Sequence, residues 1–184
     1  MDESSQGILF VGDVFCTEED SVLFFKKVKE ELKDYLVVAN LEGSIDFSMG
    51  LHTKKAVRLS LPMFKKADIP ENLIFSMVNN HVTDFGDANF KKNMEFLGDR
   101  AIVSTRSNVA NYICGNKIIF LADKKEQCVL KGTDFISFSN KHVDMIGSRF
   151  FSSIVVIHGG IEHRRYPSHY QRALARKIIN NGAK

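Results

Sequence analysis

Short apolar segments of strand length alternate along this chain with segments of helical periodicity, and this alternation constrains the fold more than any other feature. Four apolar segments are typical of buried strands. They are GILFVGDV (7–14), YLVVANLEG (35–43), LIFSMVNNH (73–81) and FFSSIVVIHGG (150–160). Strands that alternate with helices bury their apolar faces in layers around a common sheet. We therefore predict an α/β layered fold with central mixed, largely parallel β-sheets flanked by helices.

Three segments have the periodicity of amphipathic helices. Residues 18–35 and 87–100 each follow a predicted strand. The segment 167–184 carries Pro167 at its start and Gly182 near its end, which is the common placing of these two residues around a helix. The apolar face of this last helix is predicted to carry Tyr170, Leu174 and Ile178.

The remaining segments are less regular. Residues 44–70 are predicted to be mainly loop, with one edge strand in AVRLSL (56–61). From 101 to 131 several short apolar segments predict strands, some of them antiparallel, with a tight turn at CGNK (114–117). The pattern of residues 132–149 fits either a helix or a loop.

Composition narrows the class of protein. The chain has 184 residues, of which 44% are hydrophobic and 26% charged, and this is typical of one globular domain spanning residues 1–184. The formal net charge of +3, without a basic stripe interleaved with aromatics, predicts no nucleic-acid partner. The cysteines form no C-x-x-C pair and no disulfide framework. Because no stretch is long enough to cross a bilayer, we expect a soluble, cytoplasmic chain.

Polar side chains with metal-binding chemistry follow the four predicted strands. In open α/β sheets, functional groups gather beyond the carboxyl ends of the strands. The residues delivered there are Asp13, Asn40 with Glu42, Asn80 with His81, and His158. Each of them alone has a structural explanation, such as a turn or a hydrogen-bonded histidine. Together, carboxylate, amide and imidazole groups are ligands for Mn²⁺, Fe or Zn²⁺, so the pattern favours a metal site.

Four motifs, in order, give the chain a family resemblance. They are FVGDV (10–14), ANLEG (39–43), NNHVTDFG (79–86) and HGGIEHRRYPSHYQRALARKIINNGA (158–183). With these motifs, over residues 7–184, the chain resembles the bacterial capsule-synthesis proteins of the CapA type, which are linked to poly-γ-glutamate biosynthesis. These proteins are relatives of the calcineurin-like metallophosphoesterases. The resemblance implies a metallophosphoesterase-like fold and a metal-dependent hydrolase acting in capsule or exopolymer production.

The resemblance also implies roles for individual residues. The metal ligands would be Asp13, Glu42, Asn80 and His158, with Glu42 in the bridging position of a dinuclear centre. His81 would act as a general acid or donate to a substrate phosphoryl oxygen, and Asp84 would orient it. An equally weighted alternative is that Asp84 only caps the helix that starts near Asp87.

Substrate contacts are implied by the last motif. The residues concerned are Glu162, Arg164, Gln171 and Arg172. The implied substrate is anionic or phosphorylated, and other capsule-synthesis proteins are implied partners. The alternative is a solvated basic loop followed by a solvated or salt-bridged helix face. Family members often carry a membrane anchor, so the resemblance also allows a cell-surface location.

The sequence departs from the family pattern in three ways, and two of them, Phe15 and the missing final motif, support a second hypothesis. Phe15 stands where many metallophosphoesterases carry a histidine, and Gly159 replaces a tryptophan of the family motif. A final motif that supplies further histidines does not follow NNGAK (180–184), so we expect a C-terminally incomplete or naturally shortened member. The second hypothesis is a non-catalytic accessory or anionic-polymer-binding module of a capsule-synthesis machinery.

Overall fold

The computed structural model describes residues 6–14, 18–47, 58–60, 69–123, 137–159 and 166–184. These residues form an α/β structure that divides into two compact units. The first unit comprises Met1–Met77 and His81–Ile102, and the second comprises Val78–Asn80 and Val103–Lys184. The predicted α/β class is confirmed. That the whole chain is one domain stays a prediction.

The first unit contains six described strands and two described helices. In chain order they are β1 (Gly7–Val14), α1 (Glu18–Glu31), β2 (Tyr35–Leu41), β3 (Ser44–Asp46), β4 (Arg58–Ser60), β5 (Leu73–Ser76), α2 (Gly86–Leu97) and β6 (Ala101–Ile102). A short 3₁₀ turn at Gly98–Arg100 joins α2 to β6.

A four-stranded parallel sheet in the order β1-β2-β5-β6 forms the centre of the first unit. Its second strand is apolar on both faces, since Val37, Val38 and Ala39 are all buried. This is the pattern of a strand covered on both sides, as parallel sheets require. Because all four strands run the same way, their carboxyl ends lie at one edge of this sheet.

Two asparagines of α2 hold the small parallel pair β3–β4 against the helix. The amide of Asn93 accepts from the backbone nitrogen of Ile45 at 2.8 Å and donates to its carbonyl oxygen at 2.9 Å. Asn89 donates to the hydroxyl of Ser44 and to the carbonyl of Ile45, each at 2.9 Å. Both amides are buried, so these bonds pair the edge of β3 on the side where the described residues provide no strand.

The second unit contains four described strands and two described helices. In chain order they are β7 (Asn111–Ile113), β8 (Asn116–Asp123), β9 (Ser137–Phe138), α3 (Asn140–Ile146), β10 (Ser153–His158) and α4 (His169–Asn180). β8 is central: it pairs in parallel with β10 and β9 and antiparallel with β7.

The hairpin β7–β8 confirms the predicted tight turn. Cys114 and Gly115 connect Ile113 to Asn116 with φ angles of 46° and 72°. Left-handed backbone at both loop residues is the geometry of the two-residue hairpin turn that fits the twist of antiparallel strands.

Residues of β8, α3 and α4 form the core of the second unit. Its fully buried members include Ile119 and Leu121 on the strand, and Val143, Ile146, Phe150, Leu174 and Ile178 from the helical segments. Leu174 and Ile178 confirm the predicted buried face of α4. The prediction for Tyr170 is wrong, because this side chain is 49% exposed and Gln171 occupies the buried position instead.

Several predicted element limits shift in the structure. The first helix ends at Glu31, four residues earlier than predicted. The third strand ends at Ser76, before Asn79 and Asn80, which lie in a bend. Phe150 belongs to a 3₁₀ turn rather than to β10. The predicted edge strand within 56–61 is confirmed as β4, and the ambiguous segment contains α3. No helix among the described residues is long and apolar enough to cross a membrane.

Candidate functional site

Two carboxylates lie at the carboxyl ends of neighbouring parallel strands in the first unit. Asp13 is the penultimate residue of β1, and Glu42 directly follows β2. The backbone nitrogen of Glu42 donates to the carbonyl oxygen of Val14 at 3.2 Å, which extends the β1–β2 pairing by one bond beyond β2. The backbone of both acidic residues is therefore held by the same ladder.

A one-residue shift in register sets the direction of Asp13. From Gly7 to Phe10 the pairing with β2 is regular, and Phe10 pairs with Val38. Asp13 then pairs with Asn40, although regular pairing would place it opposite Leu41. Because successive side chains of a strand point to opposite faces, the extra residue in β1 turns Asp13 to the face that carries Asn40.

Asn40 connects the two carboxylates. Its amide nitrogen Nδ2 donates to Oδ1 of Asp13 at 2.7 Å and to Oε2 of Glu42 at 2.9 Å. An amide nitrogen carries two hydrogens and an ionised carboxylate only accepts, so both hydrogens are engaged. Two carboxylates held this close repel each other, and a bound cation would relieve that repulsion. The donor set therefore fits a divalent cation with oxygen ligands.

His81 lies between two acidic side chains. Its Nε2 is 3.7 Å from Oε1 of Glu42, and its Nδ1 is 2.8 Å from Oδ2 of Asp84. The three side chains are 25%, 17% and 18% exposed, so they are shielded but reachable. Because a carboxylate only accepts, the short bond to Asp84 places a hydrogen on Nδ1 and leaves Nε2 to exchange a proton on the side of Glu42.

Turn geometry before α2 produces the contact between His81 and Asp84. The backbone nitrogen of Asp84 donates to the carbonyl oxygen of His81 at 3.1 Å, and Gly86 enters the helix with a φ angle of 80°. The residue at the cap position of α2 is Phe85, and no side chain caps the helix there. Of the two alternatives for Asp84, the structure shows the contact with His81 and not the helix cap.

The second unit brings Asn80 and His158 together. Oδ1 of Asn80 is 2.7 Å from Nε2 of His158, the last residue of β10. The amide oxygen accepts, so Nε2 donates in this pair. Two ligands of one small cation stand about 3 Å apart, so the pair has the spacing of metal ligands, provided that this hydrogen is displaced.

Of the four predicted substrate-binding residues, two lie outside the described residues and two make contacts at the start of α4. Glu162 and Arg164 are among those outside. Gln171 is buried, and its Oε1 accepts from the backbone nitrogen of Ser168 at 2.8 Å while Ser168 Oγ accepts from Gln171 in return. This capping box explains the residue without a substrate. Arg172 is exposed and donates to Nδ1 of His169 at 3.2 Å.

Within the first unit, Asn40 thus bonds Asp13 and Glu42, while Glu42 lies beside His81 and His81 contacts Asp84. From the sequence, Asn40 is predicted to lie at a strand end and has no predicted role. The sequence does contain a signal for the contact between Asn40 and Glu42. The two residues are two positions apart, so their side chains lie on one face of the strand end.

Comparisons with protein-family models, with curated proteins and with solved structures find no match to this chain. The resemblance to the capsule-synthesis family therefore rests on the four sequence motifs.

Proposed function

We propose that this chain is a metal-dependent phosphoesterase-like hydrolase of capsule or exopolymer biosynthesis, of the poly-γ-glutamate type. The observation that carries the proposal is the pair of carboxylates, Asp13 and Glu42, joined through Asn40 at the ends of two parallel strands. The second support is His81, which lies beside Glu42 and donates from Nδ1 to Asp84.

In this proposal Asp13 and Glu42 hold a divalent cation, with Mn, Fe or Zn as candidates. The sequence motifs assign Asn80 and His158 as further ligands. The cation would supply Lewis-acid stabilisation of the negative charge that develops on a phosphoryl oxygen. Hard oxygen ligands and a net negative charge at the strand ends suit this type of metal chemistry.

His81 is proposed to donate a proton to the leaving oxygen. Its Nε2 faces Glu42, while its Nδ1–H is engaged with Asp84 at 2.8 Å. Asp84 thereby selects the ring orientation and leaves one nitrogen for proton transfer, which is the arrangement a general acid requires. Positioned acid–base groups contribute about 10²- to 10⁴-fold to rate.

The test is hydrolysis of p-nitrophenyl phosphate and bis(p-nitrophenyl) phosphate by the chain loaded with Mn²⁺ or Zn²⁺. We expect His81→Asn to lower kcat about 100-fold while the protein retains its metal. Glu71→Gln, an exposed position outside the cluster, serves as the control and should match the wild type. A wild-type chain that holds metal stoichiometrically and hydrolyses neither substrate would contradict the proposal and favour the non-catalytic binding module.

A further inference from the structure

We infer that Asn40 is a positioning residue that makes the acidic pair select small six-coordinate cations over Ca²⁺. The inference rests on the proposed metal site and adds to it a determinant of cation choice. The relevant property is whether each carboxylate coordinates the cation through one oxygen or through both.

Asn40 holds one oxygen of each acidic residue. Nδ2 is 2.7 Å from Oδ1 of Asp13 and 2.9 Å from Oε2 of Glu42. The first distance is short for an N–H···O bond, and both lie in the range expected where the acceptor is charged. The carboxylates are thus tethered from one side by a single amide nitrogen.

The tether is itself rigid because the backbone of Asn40 is paired on both sides. Asn40 lies opposite Asp13 of β1 and opposite Ser76 of β5 in the parallel sheet. Its side chain is half-buried, so the amide can follow the carboxylates only by turning about its own side-chain bonds. Rotation of either carboxylate therefore costs a charge-assisted hydrogen bond.

Cations differ in whether the carboxylates must rotate to coordinate them through both oxygens. Ca²⁺ takes six to eight oxygen ligands at about 2.3–2.6 Å and commonly engages both oxygens of a carboxylate. Smaller cations such as Mg²⁺ require near-octahedral geometry at about 2.0–2.1 Å and accept one oxygen from each carboxylate. An oxygen that is bonded to Asn40 is less available for two-oxygen binding, so the tether penalises Ca²⁺ more than Mn²⁺ or Mg²⁺.

Titration calorimetry with Mn²⁺ and with Ca²⁺ tests the inference on the full chain. The proteins are the wild type, Asn40→Ala, Asn40→Ser and the control Asn180→Ala, which changes an exposed asparagine at the end of α4. Loss of an outer partner of a metal ligand changes affinity about 10- to 100-fold. We expect the ratio of Mn²⁺ to Ca²⁺ affinity to fall about tenfold in Asn40→Ala, and to stay unchanged in the control.

Thermal unfolding of each variant separates selectivity from loss of fold. Asn40→Ser keeps one hydroxyl donor and should show a smaller fall in the ratio than Asn40→Ala. If the folded variants bind Mn²⁺ with an unchanged ratio, the inference is overturned and the proposed metal site stands. If the wild type binds neither cation, the inference falls together with the proposed function. Equal loss of affinity for both cations would also overturn the inference, because Asn40 would then play no part in the selection of Mn²⁺ over Ca²⁺.

Discussion

Nδ1 of His81 lies 2.8 Å from Oδ2 of Asp84, and the two residues face each other across a single turn that leads into α2. Only two residues, Val82 and Thr83, separate them, so the contact depends on local backbone geometry rather than on distant packing. A histidine whose one nitrogen is engaged in this way presents the other nitrogen in a defined direction.

Replacing Asp84 with alanine should lower catalysis while metal binding is retained. Without the carboxylate, the imidazole of His81 can rotate about its side-chain bonds, so Nε2 is correctly oriented for proton transfer in fewer molecules. We expect kcat to fall about 100-fold with little change in KM, and Mn²⁺ stoichiometry to remain that of the wild type. Asp99→Ala, at an exposed aspartate of the 3₁₀ turn, is the control. An unchanged kcat in Asp84→Ala would show that His81 needs no orienting partner.

Removing the amide of Asn93 should destabilise the first unit. Asn93→Ala removes the partner of the backbone nitrogen of Ile45 at 2.8 Å, whereas the carbonyl oxygen of Ile45 loses the bond from Asn93 and keeps the one from Asn89. Loss of the partner of a buried polar group costs about 1–3 kcal/mol, so we expect the free energy of unfolding to fall by about 1–3 kcal/mol. Urea denaturation measures the change, with exposed Asn180→Ala expected to stay within about 0.5 kcal/mol of wild type. A loss below about 1 kcal/mol would mean that water replaces the amide at β3.

Replacing Gly182 with alanine should destabilise the second unit. Gly182 has a φ angle of 89°, and an added Cβ would lie 2.7 Å from Cδ2 of Phe151. Left-handed backbone costs a non-glycine residue about 1–2 kcal/mol, and the ring of Phe151 must also move. We expect a loss of about 2 kcal/mol in the free energy of unfolding, measured by urea denaturation. Gly12→Ala is the control, since an added Cβ there meets no atom within 4 Å. Equal stability of the two variants would contradict the strain at Gly182.

Much of the first unit could be predicted from the sequence because its strands are short, apolar and separated by helical patterns. The same pattern placed Asp13 and Glu42 at the end of a shared sheet, since parallel strands bring their carboxyl ends to one edge. The register shift was not predicted, although Gly12 lies at its position. The extra residue enters between Phe10 and Asp13, and a glycine inside a strand often marks a bulge.

Features that depend on tertiary packing could not be predicted from the sequence. Asn89 and Asn93 look like ordinary polar residues of a helix, and only the edge of β3 explains why both are buried. On α4, spacing alone allowed Tyr170 or Gln171 to face inward. The capping box with Ser168 and the buried position of Gln171 decide this in favour of the glutamine. Tyr170 then remains at the surface.

The central claim is that the acidic pair in the first unit binds a metal, and metal retention tests it most directly. The wild type, Glu42→Gln and the exposed control Glu71→Gln would be loaded with Mn²⁺, desalted and assayed by elemental analysis. We expect near-stoichiometric Mn in the wild type and in Glu71→Gln, and loss of the metal in Glu42→Gln, because the substitution removes the negative charge of a ligand. Absence of retained metal in the wild type, or full retention in Glu42→Gln, would contradict the claim.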